Sequence, residues 1–206
     1  MTLRAFNVGP MDNNTYLIGD EATREAFIVD PGFGTAPIMD QVNSDGWTVR
    51  TVLNTHAHLD HIAENALFVE VFGAGLALHP ADRALMDAAG AQAQWFGVPP
   101  PRMVTPTHDL WDGEELALGG SSVRVIHTPG HSPGSVCFAG PDWIVVGDLI
   151  FAGGIGRADL PGGDYDTLIE SIRSRILTLD DTVRLYPGHG PSTTVGQERR
   201  TNPFLR

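Results

Sequence analysis

The sequence predicts a mixed α/β (α+β) fold in which two β-sheets pack on each other and helices cover their outer faces. Short apolar or alternating runs, typical of strands, occur towards both ends of the chain, and segments with helical spacing lie between and after them. The order of strands, helices, strands, helix and strand suits this layered arrangement, and each half of the chain could supply one sheet. The 206 residues contain no repeat, linker or low-complexity tract, so we expect one domain over residues 1–206.

In the first half, Gly, Pro, Asn and Asp turn residues separate short strands, and the fourth strand leads directly into a histidine-rich loop. The predicted strands cover residues 3–8, 15–18, 26–29, 49–53 and 76–78. Helices are predicted at about residues 37–43, 63–72 and 80–95, and Pro80 and Asp82 start the last of these. The Pro-rich stretch 98–111 is predicted to be irregular.

In the second half, strands return before a glycine-rich loop and a long helix. The predicted strands cover residues 115–118, 122–126, 135–138, 143–146 and 183–186. The loop is predicted at residues 153–157, and helices at residues 165–177 and 195–199.

The chain is acidic, with a formal net charge of −12, and all 13 basic residues are arginine. Negative potential repels phosphate backbones, so we expect no nucleic-acid partner. No segment approaches the ~20 apolar residues of a membrane span, and the amino terminus lacks a signal-peptide pattern, so we expect a cytoplasmic protein without a membrane partner. The single cysteine, Cys137, excludes an intrachain disulfide and is expected to be a buried, inert thiol. The sequence leaves the oligomeric state open.

Residues 55–61, with the sequence THAHLDH, predict a metal site. His56, His58, Asp60 and His61 follow a predicted strand and precede a predicted helix, so they lie in a loop at the carboxyl end of a strand. Imidazole nitrogens and carboxylate oxygens are suitable ligands for zinc and comparable divalent ions. Four such groups within six residues can converge on more than one ion.

Three further candidate ligands occupy the same kind of position. His131, Asp148 and His189 each follow a glycine just after a strand, where a tight turn can aim a side chain inwards. Strand-end loops gather at one edge of a layered domain, so the four segments can meet there. Three other histidines lack this context and are interpreted as ordinary core or surface residues: His79, His108 and His127.

These segments together resemble the signature of the metallo-β-lactamase superfamily, over a stretch from about Asn7 to the carboxyl terminus. The resemblance implies a four-layer αββα sandwich. It also implies that Asp30, after an early strand, orients the ligands without binding metal itself. The implied ligands are His56, His58 and His131 for a first metal, Asp60, His61 and His189 for a second, and Asp148 as a bridge between the two.

Within that superfamily, residues 154–164, 185–191 and 202–204 resemble the glyoxalase II branch, in the short bacterial form described as hydroxyacylglutathione hydrolase-like. The resemblance implies hydrolysis of a thioester, with S-lactoylglutathione as the default substrate, by a hydroxide that bridges two divalent ions. Asp60 and Asp148 would be the catalytic carboxylates. Zinc is the first expectation for the metal, although iron and manganese tolerate the same ligands.

The segment that would bind substrate departs from the glyoxalase II pattern. Full-length enzymes of that branch carry helices that grip glutathione, and no such extension follows His189 in this sequence. Arg157 and Asp159 stand where those enzymes have a lysine and a glutathione-contacting tyrosine. Arg157 can bind a carboxylate through paired hydrogen bonds, so both residues are predicted to contact substrate, with a surface ion pair as an equal alternative for Arg157.

Other functions fit parts of the same pattern. Persulfide dioxygenases share a segment like residues 154–159 but use one iron, whereas the intact Gly188-His189-Gly190 favours a filled second site. Hydrolysis of a lactone or another ester is a further alternative, and a secreted β-lactamase is less favoured because no signal peptide is visible. A non-catalytic metal-binding module is disfavoured because structural sites surround the metal fully with protein ligands.

Overall fold

Two six-stranded sheets packed face to face form the centre of the molecule in a computed structural model that describes residues 1–206. The first sheet has the order β1-β2-β3-β4-β5-β6, with β1 Thr2–Val8, β2 Asn13–Asp20, β3 Glu25–Val29, β4 Thr48–Leu53, β5 Gly75–Leu78 and β6 His108–Asp109. Strands β1 to β3 pair in antiparallel fashion, and β3 to β6 are parallel. The first half of the chain therefore supplies one whole sheet, as predicted.

The second sheet comes from the second half of the chain. Its order is β14-β13-β10-β9-β8-β7, with β7 Glu115–Leu118, β8 Ser121–His127, β9 Val136–Ala139, β10 Trp143–Gly147, β13 Arg184–Pro187 and β14 Thr193–Thr194. Only β10 and β13 are parallel neighbours. A small hairpin, β11 Ile150–Phe151 with β12 Gly154–Ile155, follows β10.

The helices lie outside the two sheets. They are α1 Ala36–Ser44, α2 Leu59–Ile62, α3 Asn65–Phe72, α4 Arg83–Asp87, α5 Ala89–Phe96, α6 Tyr165–Ser171 and α7 Val195–Thr201. No helix is both long and apolar enough to cross a membrane.

Strand alternation explains the layers, because successive side chains of a strand point to opposite faces. In β2, Tyr16 and Ile18 face the second sheet, whereas Leu17 packs under the helices of the first half. In β10, Val145 faces the first sheet, whereas Ile144 packs with α6 on the other side. Three apolar layers therefore separate four layers of secondary structure, which confirms the αββα sandwich.

Several predicted boundaries were wrong. The helix expected at residues 63–72 starts at Asn65, and the short helix α2 before it includes two of the candidate ligands, which were expected in a loop. The helix expected at residues 80–95 is a 3₁₀ turn followed by α4 and α5. Ala88, with ψ of 4°, ends α4, and Gly90 lowers helix propensity just beyond it.

Two of the predicted loops contain short strands, and one predicted helix changes its geometry. The loop expected at residues 153–157 contributes β12, and the irregular stretch 98–111 contributes β6. The helix expected at residues 165–177 is α6 continued by a π-helical segment, Ile172–Ile176. Strands of two residues are too short for period-2 alternation to be visible in sequence, which explains why they were missed.

Parallel strand pairs fix where the site forms. Strands β3 and β4 end side by side at Val29 and Leu53, so Asp30 and the histidine-rich segment start at the same edge of the first sheet. Strands β10 and β13 likewise end together at Gly147 and Pro187 in the second sheet. Because the sheets are stacked, the loops after these strands meet across the edge of the sandwich.

Cys137 should be unreactive in the folded protein. Burial raises the pKa of its thiol to about 12, so at pH 8 only about 10⁻⁴ of the thiol is ionised, and only the thiolate reacts. We expect no colour with a disulfide reagent such as dithiobis(nitrobenzoate) at pH 8 over several minutes. Unfolding in guanidinium should release one equivalent at once. Rapid, complete reaction of the folded protein would contradict the buried position of this thiol.

Candidate metal centre

Three imidazoles form the first cluster of ligand atoms. The Nε2 atoms of His56 and His131 are 3.1 Å apart, and Nδ1 of His58 is 2.8 Å from the same His131 atom. Burial lowers the pKa of His58 to about 3 and holds the pKa of His56 well below its usual value, and repulsion from neighbouring histidines adds to both decreases. The neutral rings of His56 and His58, whose nitrogens point at Nε2 of His131, suit a cation between the three residues.

A second cluster adjoins the first and contains a carboxylate. Oδ2 of Asp60 is 3.1 Å from Nε2 of His189 and 3.5 Å from Nε2 of His61. Burial would raise the pKa of Asp60, but the charges of His61 and His189 and hydrogen bonds from His189 and Asn13 hold it well below its usual range. Asp60 therefore carries a negative charge at any physiological pH.

Asp148 lies between the two clusters. Its Oδ2 is 3.7 Å from Nε2 of His131 and 3.6 Å from Nε2 of His189, so one oxygen faces a member of each cluster. Its Oδ1 is 3.5 Å from Nε2 of His61. The structure thus brings together all seven residues that the sequence proposed as ligands.

Two unpaired buried atoms test whether cations fit here. Nε2 of His61 and Oδ1 of Asp148 are buried and have no hydrogen-bond partner, a state that costs about 1–3 kcal/mol for each group. Burial would lower the pKa of His61, yet Asp60, Asp148 and Asp30 raise it to about 10, so these carboxylates require a positive charge at this point. Divalent ions satisfy both the unpaired atoms and the negative charge, and the donor set fits them.

Asp30 joins the early strand to this centre. Its Oδ1 accepts the backbone N–H of Thr55 (2.7 Å), and its Oδ2 lies 2.6 Å from Oγ1 of Thr55 and 3.0 Å from Nδ1 of His61. Asp30, His56 and His61 also lie close enough together to be considered a ligand group. Because the Asp30 carboxylate is already engaged by these three donors, we interpret Asp30 as orienting His61 rather than binding metal. Asp30 has φ of 51°, a strained conformation that persists where the surroundings enforce it.

Backbone carbonyls orient two further ligands. Nδ1 of His131 donates to the carbonyl of Arg157 (2.7 Å), and Nδ1 of His189 donates to the carbonyl of Met11 (3.1 Å). A carbonyl only accepts, so each bond places the ring proton on Nδ1 and leaves Nε2 free to face the centre.

Glycines next to the ligands let the loops approach one another. A Cβ at Gly188 would lie 2.6 Å from Cε1 of His61, and a Cβ at Gly147, whose φ is 51°, would lie 2.5 Å from Oγ1 of Thr55. No side chain fits at either position. These close contacts explain why glycine precedes His189 and Asp148.

Asp82 supports the centre and was missed in the sequence. It is fully buried between two ligand loops. Its Oδ2 accepts the backbone N–H of Ala57 (2.9 Å) and the hydroxyl of Ser132 (2.7 Å), and its Oδ1 accepts the N–H of Gly134 (2.6 Å). Ala57 separates His56 from His58, so Asp82 ties the first loop to the loop of His131. The only sequence signal, a helix-starting aspartate, does not reveal this role.

Asn13 is a second supporting residue that the sequence did not reveal. Its Nδ2 donates to Oδ2 of Asp60 (3.0 Å), and the next residue, Asn14, bonds through its backbone N–H to the carbonyl of Gly188 (2.7 Å). Strand β2 of the first sheet therefore holds both Asp60 and the His189 loop of the second sheet. In the sequence, these asparagines predict only a turn.

The two predicted substrate-binding residues are paired with each other. Nε and Nη2 of Arg157 each donate to a carboxylate oxygen of Asp159 at 2.8 Å, and both side chains are exposed. Arg157 lines the cleft above the metal ligands, whereas Asp159 does not. The structure thus shows the ion pair that was the alternative interpretation of Arg157.

An open cleft of about 520 Å³ gives solvent access to five of the seven ligands. Its floor contains His58, Asp60, His131, Asp148 and His189. The arrangement can therefore hold two cations and present them to a small molecule, which a closed structural metal site cannot do.

Comparisons with known proteins show which chains this one is similar to. Residues 8–196 match the family model for the metallo-beta-lactamase superfamily. The hydroxyacylglutathione hydrolase GloC of Haemophilus influenzae is 37% identical, over 100% of this chain and 98% of the relative. Among solved structures, the BLEG-1 B3 metallo-beta-lactamase is 34% identical, with a TM-score of 0.92 and 99% of each chain covered. TTHA1623 in a di-iron-bound form is 37% identical, with a TM-score of 0.89 and coverage of 98% of this chain and 100% of the other.

Replacing Asp82 by asparagine should weaken the centre without touching a metal ligand. The amide would place N–H groups against a backbone N–H, and a buried polar group left unpaired costs about 1–3 kcal/mol. We expect Asp82→Asn to lower the free energy of unfolding by that amount and to lower zinc affinity about tenfold, as measured by chemical denaturation and by competition with a chromophoric chelator.

Asp87→Asn is the matched control for this change, because Asp87 lies five residues along the same helical segment and is exposed. It should change neither quantity measurably. Equal zinc affinity in Asp82→Asn and the unaltered protein would show that Asp82 does not position the ligands.

Proposed function

The chain belongs to the metallo-β-lactamase superfamily, and we propose that it is a hydrolase that uses two divalent ions to cleave a thioester. The observation that carries the proposal is the placement of Asp148, whose oxygens face histidines of both ligand clusters at 3.5–3.7 Å. A carboxylate in that position could contact both ions of a two-metal site, and such a pair of ions would activate a water for hydrolysis.

The proposed ligand sets follow the two clusters. The first ion would be held by three imidazoles and the second by two imidazoles and a carboxylate, with Asp148 in contact with both. The residues are His56, His58 and His131 for the first ion, and Asp60, His61 and His189 for the second. When bound, such ions lower the pKa of a shared water and polarise the carbonyl under attack.

The chain's own residues would supply orientation. The Asp60 carboxylate is fixed by Asn13 at 3.0 Å and borders the cleft, so it can hold a water in the direction of attack as well as bind metal. Asp148 is the second proposed catalytic carboxylate because it reaches both ligand sets. A thiolate leaves without prior protonation more readily than an alkoxide does, since thiols have a pKa of about 8.5. The absence of a further acid among the side chains lining the cleft therefore favours a thioester substrate.

S-lactoylglutathione, or a related hydroxyacylglutathione, is the first substrate to test. The full-length similarity to the hydroxyacylglutathione hydrolase of Haemophilus influenzae supports it. Zinc is the proposed metal because histidine and carboxylate ligands suit it. The di-iron-bound relative supports two metal positions and makes iron the main alternative, with manganese third.

A second candidate function is hydrolysis of a β-lactam. The specific observation in its favour is the similarity to the BLEG-1 B3 metallo-beta-lactamase over 99% of both chains. Oxygen-dependent chemistry at a single iron, as in persulfide dioxygenases, is less favoured, because His189 lies 3.1 Å from Asp60 and completes a second ligand set.

Metal content should distinguish one occupied site from two. We expect about two zinc ions per chain in the unaltered protein and about one in His189→Ala, because one ligand of the second set is lost. Elemental analysis after gel filtration gives the number. His108→Ala is the control, since His108 is exposed and pairs with Glu114 outside the centre, and it should keep both ions. One ion in the unaltered protein would contradict the two-metal proposal.

Thioester hydrolysis should depend on the metals and on Asp60. We expect the protein to cleave S-lactoylglutathione, as measured by the loss of thioester absorbance. Cleavage should stop when the metal is chelated and should return when zinc is added. Asp60→Asn should lower kcat about 100-fold or more while the protein stays folded. Asp40→Asn, an exposed change on α1, should leave the rate unaltered.

The same assays rank the alternatives. Faster turnover of a chromogenic cephalosporin than of any thioester would favour the β-lactam function. Oxygen uptake with glutathione persulfide, at one iron per chain, would favour the dioxygenase. Full activity of Asp60→Asn would contradict the proposed mechanism.

A further inference from the structure

One side of the helices α4 and α5 borders the cleft and is apolar except for one residue. Between Ala88 and Trp95 its positions recur at intervals of three and four residues, with one adjacent pair, as on a single helical face. They are Leu85, Ala88, Ala91, Gln92 and Trp95, and the last turn adds Phe96. A neighbouring side of α5 packs into the core through Ala89 and Ala93, which are fully buried. The five apolar residues of the cleft-facing side are called the apolar wall below.

Two large aromatic side chains of the apolar wall are exposed. Trp95 is 66% exposed and Phe96 is 49% exposed. Leaving such side chains in water forgoes about 25 cal/mol for each Å² of apolar surface that could be buried. Exposed aromatic surface at the rim of a cleft that contains reactive groups marks a place where a ligand supplies the missing contacts.

The apolar character continues on the other sides of the cleft. Leu160 and Pro161 line it from the segment after β12, and Met11 lines it from the loop before β2. A molecule whose carbonyl reaches Asp60 and Asp148 on the floor would therefore have apolar side chains beside it in more than one direction.

The polar side chains above the floor are already engaged within the protein. Oε1 of Gln92 accepts the N–H of Leu59 (2.9 Å), and its Nε2 donates to the carbonyl of Leu85 (2.9 Å). Arg157, the one arginine that lines the cleft, is held by both carboxylate oxygens of Asp159. No unpaired cationic side chain remains in the cleft to bind the carboxylates of a peptide such as glutathione, and the net charge of −12 disfavours anions further.

We propose that the apolar wall binds the acyl group of the substrate, and that this group is an alkyl chain or aryl ring larger than lactoyl. The inference rests on the proposed thioester hydrolysis and narrows its substrate class: the acyl group is recognised by apolar burial, and the glutathione part is not required. Trp95 and Phe96 are the residues that determine this specificity.

Chain-length dependence on a neutral thiol carrier tests the proposal. We expect kcat/KM for hexanoyl-N-acetylcysteamine to exceed that for acetyl-N-acetylcysteamine about tenfold or more, because each buried methylene contributes to binding. Hexanoylglutathione should be cleaved no more than about threefold faster than the neutral hexanoyl thioester. Equal rates for acetyl and hexanoyl groups, or a preference above tenfold for the glutathione carrier, would overturn the inference.

Trp95→Ala and Phe96→Ala localise the effect to the apolar wall. Each should lower the hexanoyl-to-acetyl ratio of kcat/KM about fivefold. Trp111→Ala is the matched control, because Trp111 is a tryptophan of similar exposure (56%) that does not line the cleft, and its ratio should not change. An unchanged ratio in Trp95→Ala and Phe96→Ala, or an equal decrease in Trp111→Ala, would overturn the assignment.

Binding of an unreactive analogue separates this inference from the proposed function. The thioether S-hexyl-N-acetylcysteamine cannot be hydrolysed, and titration calorimetry should show that it binds the unaltered protein and binds Trp95→Ala about tenfold more weakly. If no thioester is cleaved but this binding pattern holds, the proposed function fails and the apolar site stands. If thioesters are cleaved but the thioether does not bind, the inference fails and the proposed function stands.

Discussion

The structure depends on five histidines and two carboxylates, most of them buried, that meet in one small volume at the edge of the sandwich. Such a set cannot remain uncompensated, because charge and unpaired polar atoms are costly away from water. The effect is visible in the opposite directions of neighbouring pKa shifts. Burial lowers the pKa of His58 to about 3, whereas three carboxylates raise that of His61 to about 10, although both rings are buried. His56 and His58 of the first cluster offer neutral nitrogens, the second cluster requires positive charge, and divalent cations satisfy both.

Several buried polar side chains hold that set in place through hydrogen bonds. The first sheet contributes supports to ligands carried by other elements: Asp30, just after β3, holds His61, and Asn13 of β2 holds Asp60. Tyr16, deep between the sheets, donates its hydroxyl to the carbonyl of Pro187 at 2.5 Å, just before the His189 loop. Asp82 joins two loops by accepting three hydrogen bonds. Because these bonds cross between distant parts of the chain, the site and the packing of the two sheets stabilise each other.

The floor and the sides of the cleft differ in polarity. The floor is polar and fixed, whereas the sides are mostly apolar, and their polar members are paired with neighbours in the protein. This division suits an enzyme whose reaction is set by the floor and whose choice of substrate is set by hydrophobic contact. Arg157 illustrates the distinction, since its backbone carbonyl orients His131 while its guanidinium is bound to Asp159.

The sequence by itself determined the layers of the fold and the seven residues that meet at the site. Strand alternation is a local property, and so is the position of His131, Asp148 and His189 just after glycines at strand ends, so both could be recognised without coordinates. Sequence patterns could not reveal the short strands β6 and β12 or the break at Ala88. A strand of two residues shows no periodicity, and contacts elsewhere in the structure decide the conformation of these segments. The roles of Asp82 and Asn13 and the pairing of Arg157 with Asp159 were likewise decided by tertiary structure. A hydrogen bond between residues 47 or 50 positions apart, such as those of Asn13 and Asp82, leaves no pattern along the chain, since it exists only once the sheets have packed.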